Sequence, residues 1–171
     1  LRLARQCAAA VRHLHGKTPP VAHRDLKCDN FLVARNATVK LTDFGSARVV
    51  PWEGMTEFVG TPQYMAPEIL KKQSYTHLCD VYSLGVVMWE CVTLQRPYSE
   101  LRFMSDVASA VESGHTPPLP PSMRSTMAAL LHACWRPEPM RISASEVCAC
   151  LEEEWEAERE AEREEEEEEE E

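Results

Sequence analysis

Apolar positions at Leu3, Cys7, Val11 and Leu14 recur at steps of four, four and three, the period of one helical face, and Gly16 supplies the stop. Thr18-Pro19-Pro20 then turns the chain, and Val21-Ala22 leads out of the turn. Two short apolar runs, Phe31-Leu32-Val33 and Val39-Lys40-Leu41-Thr42, flank the turn residues Arg35-Asn36-Ala37 and predict a β-hairpin. Such a hairpin brings Asn30 and Asp43 to neighbouring ends of paired strands. Pro51 to Gly60 has no clear period and reads as a mobile loop. Asp80 to Val92 is apolar nearly all round, which predicts a buried helix whose end Arg96-Pro97 marks. An amphipathic helix is expected over Phe103 to Gly114, then a stiff proline-rich surface loop over 116–121 and a helix over 123–134. The last helix starts near Ser143, where Glu146 three residues on makes a capping box. No internal repeat is visible.

Charge changes this picture only at one end. Fifteen Glu and two Arg lie between Glu152 and Glu171, more net negative charge than the −10 of the whole chain, so residues 1–151 are slightly basic. The acidity belongs to a tail. Arg159 and Arg163 can pair with Glu at three-residue spacing, whereas the unbroken Glu164–Glu171 is expected to be disordered near neutral pH, so the tail reads as a disordered segment or a solvated helix. A basic partner is the sharper reading of that tail. Scattered basic residues give no nucleic-acid footprint, and no stretch approaches the roughly 20 apolar residues of a membrane span. Seven Cys without a C-x-x-C pair point to reduced thiols, hence to cytoplasm or nucleus. Leu1 in place of Met, with no secretory signal after it, suggests a fragment or a processed chain.

The chemistry-bearing stretch is His23-Arg24-Asp25-Leu26-Lys27-Cys28-Asp29-Asn30, followed by Asp43-Phe44-Gly45. An acid, a lysine two residues on and an amide five residues on share one loop, and a second acid arrives after the two apolar runs. Phosphoryl transfer from Mg-ATP needs such a set: a carboxylate to accept a hydroxyl proton, a cation to offset charge, and oxygen ligands for metal. At these residues the chain resembles the eukaryotic protein kinases. The fold class this implies is mainly α: the C-terminal lobe of a kinase, with a short β-hairpin at the catalytic loop, over residues 1–151. The Gly-rich loop, strand lysine and partner-glutamate helix of the small lobe are missing from the sequence.

The resemblance implies a role for each residue. Asp25 becomes the catalytic base, and Lys27 a catalytic and ATP-binding residue that neutralises the γ-phosphate. Asn30 and Asp43 become ATP-site ligands of the metal, with turn residues as the plainer alternative for each. Leu32 forms the floor of the adenine pocket. His23 and Phe44 pack in the internal hydrophobic column. Arg24 meets a phosphate on the activation segment (Asp43 to Glu68), with Thr56 as the phosphosite. Thr61 hydrogen-bonds near the catalytic Asp and Lys. Glu68 and Arg141 form a buried ion pair, and Asp80 holds the backbone of the His23–Asp25 turn or caps its helix. Cofactors implied are ATP and Mg2+, and the partners are protein substrates.

Lys27 and Gly60-Thr61-Pro62-Gln63-Tyr64-Met65-Ala66-Pro67-Glu68 resemble serine/threonine kinases. The Cys134-Trp135…Pro139…Arg141 ending and the Thr18-Pro19-Pro20 turn are similar to the tyrosine kinase-like group, from which Ile142 departs mildly. The expected activity is transfer of the ATP γ-phosphate to protein Ser/Thr hydroxyls, with this chain alone inactive or very slow. The alternative is a non-catalytic interaction protein that keeps the lobe and has lost ATP binding.

Overall fold

A computed structural model describes residues 1–169. Helix α3 (Leu78–Thr93) has no polar side, and every residue from Cys79 to Trp89 is buried. It therefore needs apolar cover all round, which other helices supply. Helix α5 (Ser125–Cys134) lies so close that a Cβ on Gly85 would come within 2.8 Å of Cys134 and of the Trp135 ring. Only glycine fits there. The helix stops earlier than Arg96-Pro97, at Leu94, whose left-handed backbone (φ 56°) returns its N–H to the Glu90 carbonyl at 2.8 Å.

Helix α1 (Arg2–His15) packs on α3 and on α6 (Ala144–Glu169). Its buried stripe is Ala4, Cys7, Ala8 and Val11, rotated from the expected face: Leu3 is exposed and Leu14 half-buried. That stripe is built from small side chains at 4, 7 and 8 with Val11, and neither leucine belongs to it. The capping box at the start of α6 forms as expected. The Ser143 N–H donates to Glu146 Oε2 at 2.8 Å, and the Glu146 N–H donates to Ser143 Oγ at 3.2 Å.

The expected hairpin is present as β2 (Phe31–Val33) and β3 (Val39–Leu41), antiparallel, with Phe31 opposite Leu41 and Val33 opposite Val39. Sequence pattern did not show a second antiparallel pair, β1 (Val21–Ala22) with β4 (Arg48–Val49), because two-residue strands carry no period. Pro67–Leu70 forms a short helix, α2, and Met104–Glu112 forms α4. Residues 116–120 are non-helical as expected, yet they are not a free surface loop: Pro117 is buried, and the Trp89 indole donates to the Pro118 carbonyl at 2.8 Å. Helix α6 runs on to Glu169, where the sequence leads one to expect disorder from Glu164; arginine–glutamate pairing of the kind seen at Arg163–Glu160 supports such a helix. Glu170 and Glu171 lie outside the described residues.

Candidate active site

Asp80 in the first turn of α3 organises the site. It is fully buried, and its carboxylate accepts from the His23 N–H at 2.7 Å, the Arg24 N–H at 2.8 Å and His15 Nε2 at 3.0 Å. His77, not Asp80, is the helix N-cap. Arg24 has a left-handed backbone (φ 69°), unfavourable for a residue with a side chain, and the Asp80 carboxylate fixes the two successive amides that lead into the bend. The next residue, Asp25, is thereby aimed away from α3 and toward the segment that returns above it.

Three side chains then meet. Thr61 Oγ1 donates to Asp25 Oδ1 at 2.7 Å; Lys27 Nζ donates to Asp25 Oδ2 at 3.1 Å and to Thr61 Oγ1 at 3.2 Å. Gly60 makes this approach feasible. Its φ is +122°, and a Cβ there would lie 2.7 Å from the Arg24 carbonyl. Asp25 and Lys27 both remain partly open, with side-chain exposures of 15% and 24%, so a substrate hydroxyl can reach them. The Thr61 contact matches its expected place.

Asn30 is buried and donates its amide to the Asp25 carbonyl at 2.8 Å, which leaves its amide oxygen as the end that could hold a cation. Thr42 donates twice to the Asn30 carbonyl, from N at 2.9 Å and from Oγ1 at 3.1 Å, so the hairpin sets Asn30 beside the residue preceding Asp43. Asp43 is exposed, left-handed (φ 59°), and accepts from the Gly45 N–H at 3.4 Å. Two oxygen donors of this kind suit a hard divalent cation. Among the described residues, no cluster of three or more His, Cys, Asp or Glu is poised for a metal.

His23 is fully buried, donates from Nε2 to the Thr42 carbonyl at 2.9 Å, and meets the Phe44 ring edge-on at 5.2 Å. Only His23 occupies the interior. Phe44 is 51% exposed and Leu32 55% exposed. Both present apolar surface on the hairpin side, uncovered by any of the described elements.

Arg24 finds a carboxylate where a phosphate was expected. Its Nη1 donates to Glu57 Oε2 at 3.2 Å and its Nε to the Ser46 carbonyl at 2.6 Å; Arg48 pairs with the same Glu57. Thr56 is exposed beside it. Tyr75 donates to the Glu57 carbonyl at 2.9 Å, and the Met55–Tyr75 bridge holds the middle of a segment that the sequence presents as mobile. Sequence reading missed Glu57, whose carboxylate two arginines share. Glu68 and Arg141 pair as expected, at 2.6 and 3.1 Å, both buried. Tyr64 was unassigned. Its hydroxyl donates to Glu90 at 2.6 Å and its carbonyl accepts from Ser83 at 2.7 Å, tying the returning segment to α3. Burial and the Glu90 carboxylate hold the Tyr64 phenol far above its ordinary value, so it remains a neutral donor.

The family model described as Protein kinase domain matches residues 2–155. The chain belongs to the protein kinase family. It is 36% identical over 143 residues to serine/threonine-protein kinase CTR1 of Arabidopsis thaliana, covering 82% of this chain and 17% of that one. It is 37% identical over 155 residues to a probable LIM domain-containing serine/threonine-protein kinase of Dictyostelium discoideum, covering 90% and 23%. The dual specificity protein kinase shkC of the same organism is 35% identical over 158 residues, covering 89% and 31%. The chain thus spans less than a third of the length of these curated relatives. Kinases of this family use ATP and Mg2+. No described helix is long and apolar enough to cross a membrane.

Proposed function

We propose that this chain is the catalytic-loop lobe of a serine/threonine kinase that moves the γ-phosphate of ATP onto protein Ser/Thr hydroxyls. The observation that carries the reading is the Asp25–Lys27–Thr61 triangle, since a threonine joined to the catalytic acid and lysine accompanies Ser/Thr specificity in the resemblance the sequence carries. Asp25 accepts the hydroxyl proton as the oxygen attacks phosphorus, and Lys27 offsets the charge on the moving group. The Asn30 amide oxygen and the Asp43 carboxylate would hold Mg2+, which would supply positive charge to offset that of the phosphates. Leu32, on the exposed hairpin face, is the residue of this chain offered to the adenine ring.

Arg24 and Arg48 form an anion site filled by Glu57, and phosphorylation of Thr56 would place a second anion beside the same guanidiniums. The Glu-rich end of α6 is suited to a basic protein partner, and the thiol-rich composition to cytoplasm or nucleus.

The test is phosphotransfer to Ser, Thr and Tyr peptides by the full-length protein that carries this chain, alongside Asp25→Asn. The expected result is transfer to Ser/Thr, reduced by about 10²–10⁴-fold in Asp25→Asn. Transfer unaffected by that change would overturn the reading. Absence of transfer, with no melting shift at millimolar Mg-ATP, would replace it by the non-catalytic interaction lobe, because binding at 100 Kd adds about 2.7 kcal/mol.

A further inference from the structure

One pair of side chains at the catalytic loop has no part in the chemistry above. Cys28 sits between Lys27 and Asn30, at the start of the 3-10 turn that delivers Asn30. Its Sγ lies 4.0 Å from the Val87 carbonyl, against the last turns of α3. Cys91 is one helical turn beyond Val87, on the same face of α3, and is exposed. The Cys28 sulfur and the Cys91 side chain thus flank the same turn of α3, at the Val87 carbonyl. Asp80 already ties the catalytic loop to the first turn of α3. Cys91 is eleven residues further on, about 16 Å along the helix.

We propose that Cys28 and Cys91 form a disulfide on exposure to a peroxide, fastening the Lys27–Asn30 turn to the C-terminal end of α3. The Cys91 thiolate attacks one oxygen of hydrogen peroxide, the O–O bond breaks, and Cys91 becomes a sulfenic acid as hydroxide leaves. The Cys28 sulfur then attacks the sulfenic sulfur, the S–S bond forms, and the sulfenic oxygen departs as water with the thiol proton. In sum, two thiols and one peroxide give a disulfide and two waters. Cys91 is exposed whereas Cys28 is half-buried, so the peroxide meets Cys91 first. Cys7 also faces Cys91, but it is buried and its thiol is pushed up to about 12, mainly by burial. It is the weaker resolving partner.

A bond here stiffens the turn that carries one proposed metal ligand and the proposed phosphate lysine. It rests on the cysteine geometry alone, so its failure leaves the kinase reading untouched. The experiment treats the chain with hydrogen peroxide, blocks remaining thiols with N-ethylmaleimide, and digests with trypsin without reductant. Cleavage after Lys27, Arg35, Lys72 and Arg102 (the Arg96–Pro97 bond resists trypsin) isolates Cys28 in residues 28–35 and Cys91 in 73–102. The expected product is 28–35 joined to 73–102, two hydrogens lighter than the free peptides. Fragmentation should place the bond on Cys91 and not Cys79, and dithiothreitol should reverse it. Cys28→Ser, a change of one atom, should instead accumulate higher oxides at Cys91. A link to Cys7 or Cys79, or Cys91 sulfinic acid without any link in the unaltered chain, would overturn the proposal.

Discussion

Arg141 makes four hydrogen bonds from a side chain with no exposure: two to Glu68, one to the Leu78 carbonyl and one to the Arg136 carbonyl, with its guanidinium 5.3 Å from the Tyr82 ring centroid. Truncating it would leave the Glu68 carboxylate buried without its counter-charge, and that loss dominates over the lost contact itself. Arg141→Ala should therefore lower stability by about 3–5 kcal/mol. Arg35→Ala, at an exposed position on the hairpin turn, should stay within about 0.5 kcal/mol. Urea unfolding of the two variants checks the contrast, and equal midpoints would mean that the pair carries no special weight. This partnership was legible before any coordinates, because both ends belong to motifs with fixed roles in the resemblance. Arg24 shows the opposite case. Its own role could be read from its place before Asp25, but its partner could not, since Glu57 belongs to a stretch without period or motif. A carboxylate is recognisable as an arginine's ligand only once Ser46 and Tyr75 are seen to hold both groups in place. The exposure of Leu32 and Phe44 was not legible in the sequence for a related reason. Their enclosure depends on neighbours, and sequence names the residue without its neighbours.

At the scale of elements, what had a period was found. The hairpin, α3 and the capped start of α6 each follow from local pattern, with residues that favour the same state on every count. What escaped was pairing between distant, short pieces. The β1–β4 ladder joins residues 26 and 28 apart through two-residue strands, and α1 buries its small residues and not its own leucines. The capping box offers a test with a defined pH sign. Glu146 is exposed, and hydrogen bonds from the Ser143 side chain and backbone pull its carboxyl below the usual value of 4.5. A carboxyl depressed in the folded state stabilises it above the unfolded value and loses that contribution as pH falls through the folded value. Glu146→Gln keeps an acceptor for the Ser143 N–H but does not titrate. Below pH 4.5 the unaltered chain should lose stability relative to Glu146→Gln, and above it the difference should be constant. Ser143→Ala, which removes the other half of the box, should cost about 1 kcal/mol at neutral pH. Paired denaturation curves from pH 7 downward read both outcomes. A gap that widens above pH 4.5 would contradict the assigned sign.

On the scale of the whole molecule, the acidic helix divides into a docked part and a projecting part. The docked part is held by specific contacts: Arg5 to Glu152, with its guanidinium 5.0 Å from the Trp155 ring centroid, Thr126 to Glu154, and Arg124 to Glu158 at 2.5 Å. Beyond Glu158, the described side chains are exposed, and the described ion pair there, Arg163–Glu160, lies within the helix itself. Packing against the lobe therefore ends near Glu158, while most of the like charge lies after it. Removing residues 160–171 should leave the melting temperature unchanged or raise it slightly, because it deletes repulsion and no described contact to the lobe. Removing residues 152–171 should lower it, because the anchors on α1 and α5 go with them. The same shorter truncation separates stability from binding. If the projecting run serves a basic partner, a lysine-rich peptide should bind the unaltered chain with an affinity that falls as salt rises, and should lose most of that affinity to the chain ending at Arg159. Melting curves and a salt series on these three lengths decide the matter together. Lost stability with the shorter truncation would make the run structural. Unchanged peptide affinity would leave its charge without that partner.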